Sequence, residues 1–233
     1  MSFDAIIEAF FCVGCEFRNN LAIRGIFVAD EQNESSGVPD GLSRDARLQK
    51  MEALYASRER DLNRAYERFK SAGSSEERFF HNLRMQLRIF EYEVMVDACS
   101  MVRNQPQGFA RVVAMKGLIH KFYEFNELFK RETMKQMLAF AKGRAYEFTA
   151  ADVGAVKSKY KGLFSTIERW TKIRNLATGH YDRNMQAVVD ALDSIDLKDI
   201  LATMMDYARY VLEVLAKFTD AHLKFVRDGA NST

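Results

Sequence analysis

Proline is almost missing from this chain, with two residues among 233. Because proline removes a backbone donor and clashes with the preceding turn, its scarcity leaves room for long uninterrupted helices. Strand signals are absent too: no alternating β-branched runs stand between turn clusters. Cysteine is scarce and odd in number, at three, which excludes a disulfide framework and suits a reducing, cytoplasmic setting. No apolar window is long enough to cross a bilayer, so no membrane partner is expected. The opening MSFDAIIEAFFCVGCEF has an apolar run with no basic residue ahead of it and an acidic one inside, which argues against a signal peptide. Net charge is also small, +2, so a nucleic-acid partner is allowed but no basic face announces one.

What is present points to a helical protein. Ala, Leu, Glu, Lys, Arg and Met, the strong helix formers, are abundant. A composition 48% hydrophobic and 28% charged is that of a folded chain rather than a disordered one. The length fits a single all-α domain over 1–233: a core at about 75–228, preceded by an N-terminal helix and a charged outer helix within 3–72.

Periodicity divides the chain. A first helix is expected over about Phe3–Phe27, followed by a polar loop at Ala29–Gly41. From Ser43 to Ser71 the apolar positions form a narrow stripe on a charge-dense helix, which belongs on the outside of a bundle. Ser74-Ser-Glu-Glu77 offers a capping box for a helix over about Ser75–Arg103. There the stripe Phe80, Leu83, Leu87, Phe90, Val94, Met101 is widened by Ile89, Val96 and Cys99, marking a central helix. A phenylalanine-rich helix follows from Phe109 to about Arg144, with Gly117 and Gly143 as weak points. Thr149-Ala-Ala-Asp152 opens another to about Thr178. The last begins near Asp196 and carries the ladder Leu201, Met204, Ala208, Val211, Leu215, Phe218, Phe225. Long helices with short loops predict an antiparallel up-and-down bundle of four core helices with one or two extra ones.

One stretch departs from this pattern: Trp170-Thr-Lys-Ile-Arg-Asn-Leu-Ala-Thr-Gly-His-Tyr-Asp-Arg-Asn184. Seven residues turn a helix through about 700°, so Arg174 shares a face with Tyr160 and Ile167, a face expected to be buried. A guanidinium there must be paired or line an interface, since an unpaired buried charge is very costly. Asp97, three residues after Val94 on the central helix, is one candidate partner. On an unbroken helix His180 would lie about 9 Å beyond Arg174 and about 120° round from it. A left-handed turn at Gly179 could swing it back, or a two-fold axis could bring two copies of the motif together.

Arginine, a polar residue, then histidine after a short gap, at the end of the penultimate long helix of an all-α bundle, resembles the HEPN superfamily. The pattern is most similar to the abortive-infection sub-group, with motifs of the form R-N-x-x-x-x-H-x-D. The resemblance covers Thr149–Asp228 and implies a four-helix up-and-down bundle, often a homodimer. It further implies metal-independent RNA cleavage in many members and nucleotide or RNA binding without cleavage in others. On the matching positions, Arg174 and His180 would be the catalytic pair and Asn175 the supporting amide. Asp182 matches an acidic position after the histidine. Where some relatives carry a tyrosine for nucleotidylation this chain has Asp182, with Tyr181 adjacent. The implied role is a toxin or phage-defence effector, with an antitoxin or defence partner.

The chemistry needs no cofactor. RNA supplies its own nucleophile, the 2′-hydroxyl. An imidazole titrating near neutrality can move the proton, and a guanidinium can hold the phosphate oxygens. DNA, lacking that hydroxyl, would be spared. The residues provide no metal cage. Cys12-Val-Gly-Cys15 is a lone pair without a second pair at zinc-ligand spacing, and reads as core packing. His120 and His222 read as structural histidines. The competing functions are a cleaving enzyme, a non-catalytic binding module, and an interaction protein whose Arg174 only fixes a dimer.

Overall fold

The computed structural model describes residues 43–175 and 184–230. The expected first helix, the loop at 29–41, Cys12 and Cys15 lie outside the described residues. Within them the chain is helical and contains no strand. No helix among them is long and apolar enough to cross a membrane.

Helix α1, Arg44–Lys70, starts at Ser43, whose hydroxyl accepts the Ala46 N–H at 3.2 Å. Helix α2, Ser75–Asn104, opens on the anticipated capping box: Ser74 Oγ accepts from Glu77 N at 3.1 Å, and Glu77 Oε2 accepts from Ser74 N at 3.2 Å. Two orphan donors of the first turn are thereby satisfied. The two helices run antiparallel, joined by Tyr55 Oη to Tyr92 Oη at 2.6 Å and by Arg103 to Glu52 at 3.1 Å. Their contact is not the simple apolar stripe of the sequence reading. Met51 and Ala65 are buried, but so are Arg58, Arg84, Arg88 and Glu91.

Helix α3, Gly108–Leu128, passes through a wider π-type turn, Phe129–Thr133, into α4, Met134–Gly143. The expected rod therefore exists. Its irregularity is the π turn rather than Gly117, whose lack of a side chain instead admits Asp97: a Cβ there would meet Asp97 Oδ2 at 3.2 Å. Contacts Asp97–Lys121 and Gln86–Thr133 set α2 antiparallel to this rod.

The helix expected over 150–178 is broken. Helix α5, Ala150–Lys159, has the Thr149/Asp152 capping box, and α6, Lys161–Ile173, follows after Tyr160 leaves helical geometry at ψ 30°. The deep ladder Val156, Leu163, Trp170 is buried on both sides of the break. A short helix that periodicity did not reveal, α7, Met185–Asp193, is capped by Asn184. Helix α8, Leu197–Ala230, begins where expected. Lys159–Glu213 and Lys217–Asp152 pair it antiparallel with α5.

Four rods thus alternate in direction, α2, α3–α4, α5–α6 and α8, with α1 flanking α2. Aromatic rings fill two levels between them. Phe79 stacks on Phe140 at 3.9 Å near one end, and Phe90 on Phe125 at 4.1 Å in the middle, beneath Tyr207. Met204, Ala208, Val211, Leu215 and Phe218 of the last ladder are buried, whereas Phe225 is exposed. Ile89 and Val96, expected to broaden the apolar face of α2, are also exposed.

Candidate functional site

Arg174 follows directly on α6 and retains helical φ and ψ. Trp170 and Ile173 anchor this end of the helix in the core. The guanidinium does not enter it: the side chain is 41% exposed. The break at Tyr160 takes that residue out of the α6 register, and Ile167, seven residues before Arg174, is itself buried. At its C-terminal end the helix turns Trp170 and Ile173 to the core, which leaves Arg174 at the rim.

Neighbours on α3 and the adjacent Asn175 hold the guanidinium. Nε donates to Glu124 Oε1 at 2.9 Å, Nη1 donates to Asn175 Oδ1 at 3.1 Å, and the Tyr123 ring centroid lies 5.9 Å from Cζ. Glu124 and Tyr123 both belong to α3. The expected partner Asp97 is engaged elsewhere, accepting an ion pair from Lys121 at 2.6 Å. Helix spacing could suggest a carboxylate facing Arg174, but only the packing of α6 on α3 rather than α2 selects Glu124. With Glu124 45% exposed, the pair is of the surface kind, worth about 0–1 kcal/mol. A carboxylate held so weakly can give way to another anion.

Arg174 and Asn175 are thus brought together, and α3 adds Tyr123 and Glu124. The remaining motif residues, His180, Tyr181 and Asp182, lie outside the described residues. A cleft of about 440 Å³ opens at the α5–α6 break, lined among others by Lys159, Tyr160, Thr166, Asp199 and Asp206. From Thr166 to Arg174 is about 12 Å along the helix axis, so this cleft is separate from the guanidinium. Burial and the Glu213 carboxylate push the Tyr160 phenol above its ordinary range.

A second polar cluster joins α2, the α4–α5 loop and α8. His222 Nδ1 lies 2.8 Å from Tyr146 Oη, Tyr146 donates to Glu76 Oε1 at 3.0 Å, and Arg144 binds Glu76 Oε2 at 2.9 Å. The tyrosine proton is spent on Glu76, so the imidazole must donate from Nδ1. Burial pushes Tyr146 up to about 12 and holds His222 below its ordinary value, the Glu76 charge opposing the latter. His222 is partnered as a structural histidine would be.

Among the described residues no group of three or more histidine, cysteine or acidic side chains is arranged to hold a metal ion. Comparison with protein families, with curated proteins and with solved structures finds no match to this chain.

Proposed function

We propose that the chain is a HEPN-like, metal-independent endoribonuclease in which Arg174 binds the scissile phosphate, Asn175 supports it and His180 moves a proton. The observation that carries this reading is a permanently charged, partly exposed guanidinium over a tyrosine ring, secured by a weakly held carboxylate and an adjacent amide. Such a group can bind two phosphate oxygens and stabilise the charge that develops on them. A deeply buried structural arginine could not reach a polyanion. Asp182 and Tyr181 flank the imidazole in sequence, and a homodimer would bring two copies of the motif to one cleft. As a toxin or phage-defence effector, such an enzyme would arrest growth unless restrained by an antitoxin or defence partner.

The Glu124 pair favours a second reading: a non-catalytic helical module in which Arg174 fixes packing or a dimer and the protein binds RNA, a nucleotide or another protein. Incubation of purified protein with total RNA and chelator separates the two. Cleavage that persists in chelator and is lost in His180→Ala, with fold and mass unchanged, supports the enzyme. Intact RNA with every preparation refutes it. Loss of dimer mass in Arg174→Ala with ligand binding retained identifies the packing role.

A further inference from the structure

The cleft of about 440 Å³ at the α5–α6 break has a lining unlike the surroundings of Arg174. Buried Leu163 forms its floor. Tyr160 stands on one side, and Asp199, Ala202 and Asp206 of α8 on the other. Seven residues carry a helix to within about 20° of two full turns, so the two aspartates share a face, about 10 Å apart along the axis. Ala202 lies between them, and all three are exposed.

Donors and acceptors are unevenly used around this cleft. Its side-chain donors are spent: Lys159 and Tyr160 on the Glu213 carboxylate, Thr166 on the Gly162 carbonyl, and Thr203 on the Asp199 carbonyl. The aspartate carboxylates keep acceptor capacity. Asp206 meets Arg209 at 3.3 Å in an exposed pair, of the kind that competing ions displace. The Asp199 carboxylate has no hydrogen-bond or ion-pair partner among the described residues. A ligand for such a lining must bring donors, and the carboxylates repel anions. Two carboxylates so far apart cannot close on one metal ion, whose oxygen ligands lie within about 2.6 Å of it. An ammonium group has three donors and no acceptor. The order of carboxylate, apolar surface and carboxylate matches ammonium groups joined by methylenes, and the Tyr160 ring adds a further surface that attracts cations.

We propose that this cleft binds a linear polyamine, with ammonium groups at Asp199 and Asp206 and the methylene chain over Ala202 and Leu163. The site is separate from Arg174 and does not depend on the ribonuclease reading.

The test is calorimetric titration of the full chain with spermidine at about 0.05 M salt, where exposed charges are weakly screened. One molecule binds per chain, saturably. Asp199→Asn and Asp206→Asn each weaken binding by about 3-fold or more and together by about 10-fold or more, as loss of one or two exposed ion pairs requires. Putrescine, too short to join the two carboxylates, binds more weakly than spermidine. Both aspartates are exposed, so the variants should melt with the unmodified protein. If one melts early, Ala202→Lys, which sets a cation between the carboxylates, gives the same loss. Absence of saturable spermidine binding overturns the proposal, as does unchanged affinity in the double variant. Equal competition by Mg²⁺ at matched ionic strength reduces the effect to counterion screening and overturns it too. Binding of trilysine but not spermidine assigns the cleft to a basic peptide and also overturns it.

Discussion

Replacing Glu91 by alanine tests the polar seam between α1 and α2. Arg88 is 7% exposed and Glu91 8%. Arg88 Nη1 donates to Glu91 Oε2 at 2.5 Å and lies 3.7 Å from Asp61, which is also 3.6 Å from Arg58. Burial disfavours the charged Arg88, yet the Glu91 and Asp61 charges outweigh it and raise its pKa. Arg84, also buried, has the reverse balance: desolvation and its cationic neighbours lower it to about 10. Deleting the Glu91 carboxylate takes from Arg88 its nearest counter-charge, which should cost about 3–5 kcal/mol because a buried charge loses its main partner. At about 2–4 °C per kcal/mol for a chain of this size, the melting midpoint should fall by about 6–20 °C. Removing both partners, Arg88→Met with Glu91→Leu, should restore most of the loss, since apolar replacements of buried ion pairs are often neutral or better. Urea unfolding followed by circular dichroism on Arg88→Met, Glu91→Leu and the double variant gives the coupling energy. A Glu91→Ala cost under about 1 kcal/mol, or a double variant no better than the single, would refute the reasoning.

Two further outcomes follow from buried groups. The Tyr207 hydroxyl is fully buried without a hydrogen-bond partner among the described residues, and burial raises its pKa well above the usual value. Tyr207→Phe should therefore raise stability by about 1 kcal/mol in urea unfolding, the desolvation cost of an unsatisfied polar group; a comparable loss would reveal a partner. His222 has a folded pKa below its ordinary 6.5, so its contribution is fully present above that value and is lost as pH falls through the folded one. His222→Asn, which can still donate to Tyr146, should flatten part of the decline in midpoint on acidification. His81, also lowered by burial, supplies a separate share, and an unchanged slope in the variant would sink the assignment.

Helix ends were the most legible part of the fold. Ser43, the Ser74/Glu77 box and Thr149/Asp152 mark them through short-range hydrogen bonds that any local reading can find. The breaks were not. The π turn at Phe129–Thr133 contains neither glycine nor proline, and Tyr160 is no helix breaker, so neither irregularity carries a local signal. The burial of Arg88 and Glu91 carried no signal in the apolar stripe, because it comes from the packing of α1 on α2, where Asp61 meets Arg88. The same limit governed the candidate site. Arg174 and Asn175 stand out as polar residues after an apolar ladder, but the choice of Glu124 over Asp97 depends on which helix packs against α6.

The chain contains one tryptophan, Trp170, and α6 places it in the core one turn before Arg174. Its fluorescence is thus a built-in local reporter, needing no label. Ligand capture at the neighbouring guanidinium should shift or quench the indole emission even if total helix content stays constant. Under the ribonuclease proposal, titration of an uncleavable 2′-O-methyl strand would quench or shift this emission on binding, and an unchanged emission at saturating strand would count against RNA capture at Arg174.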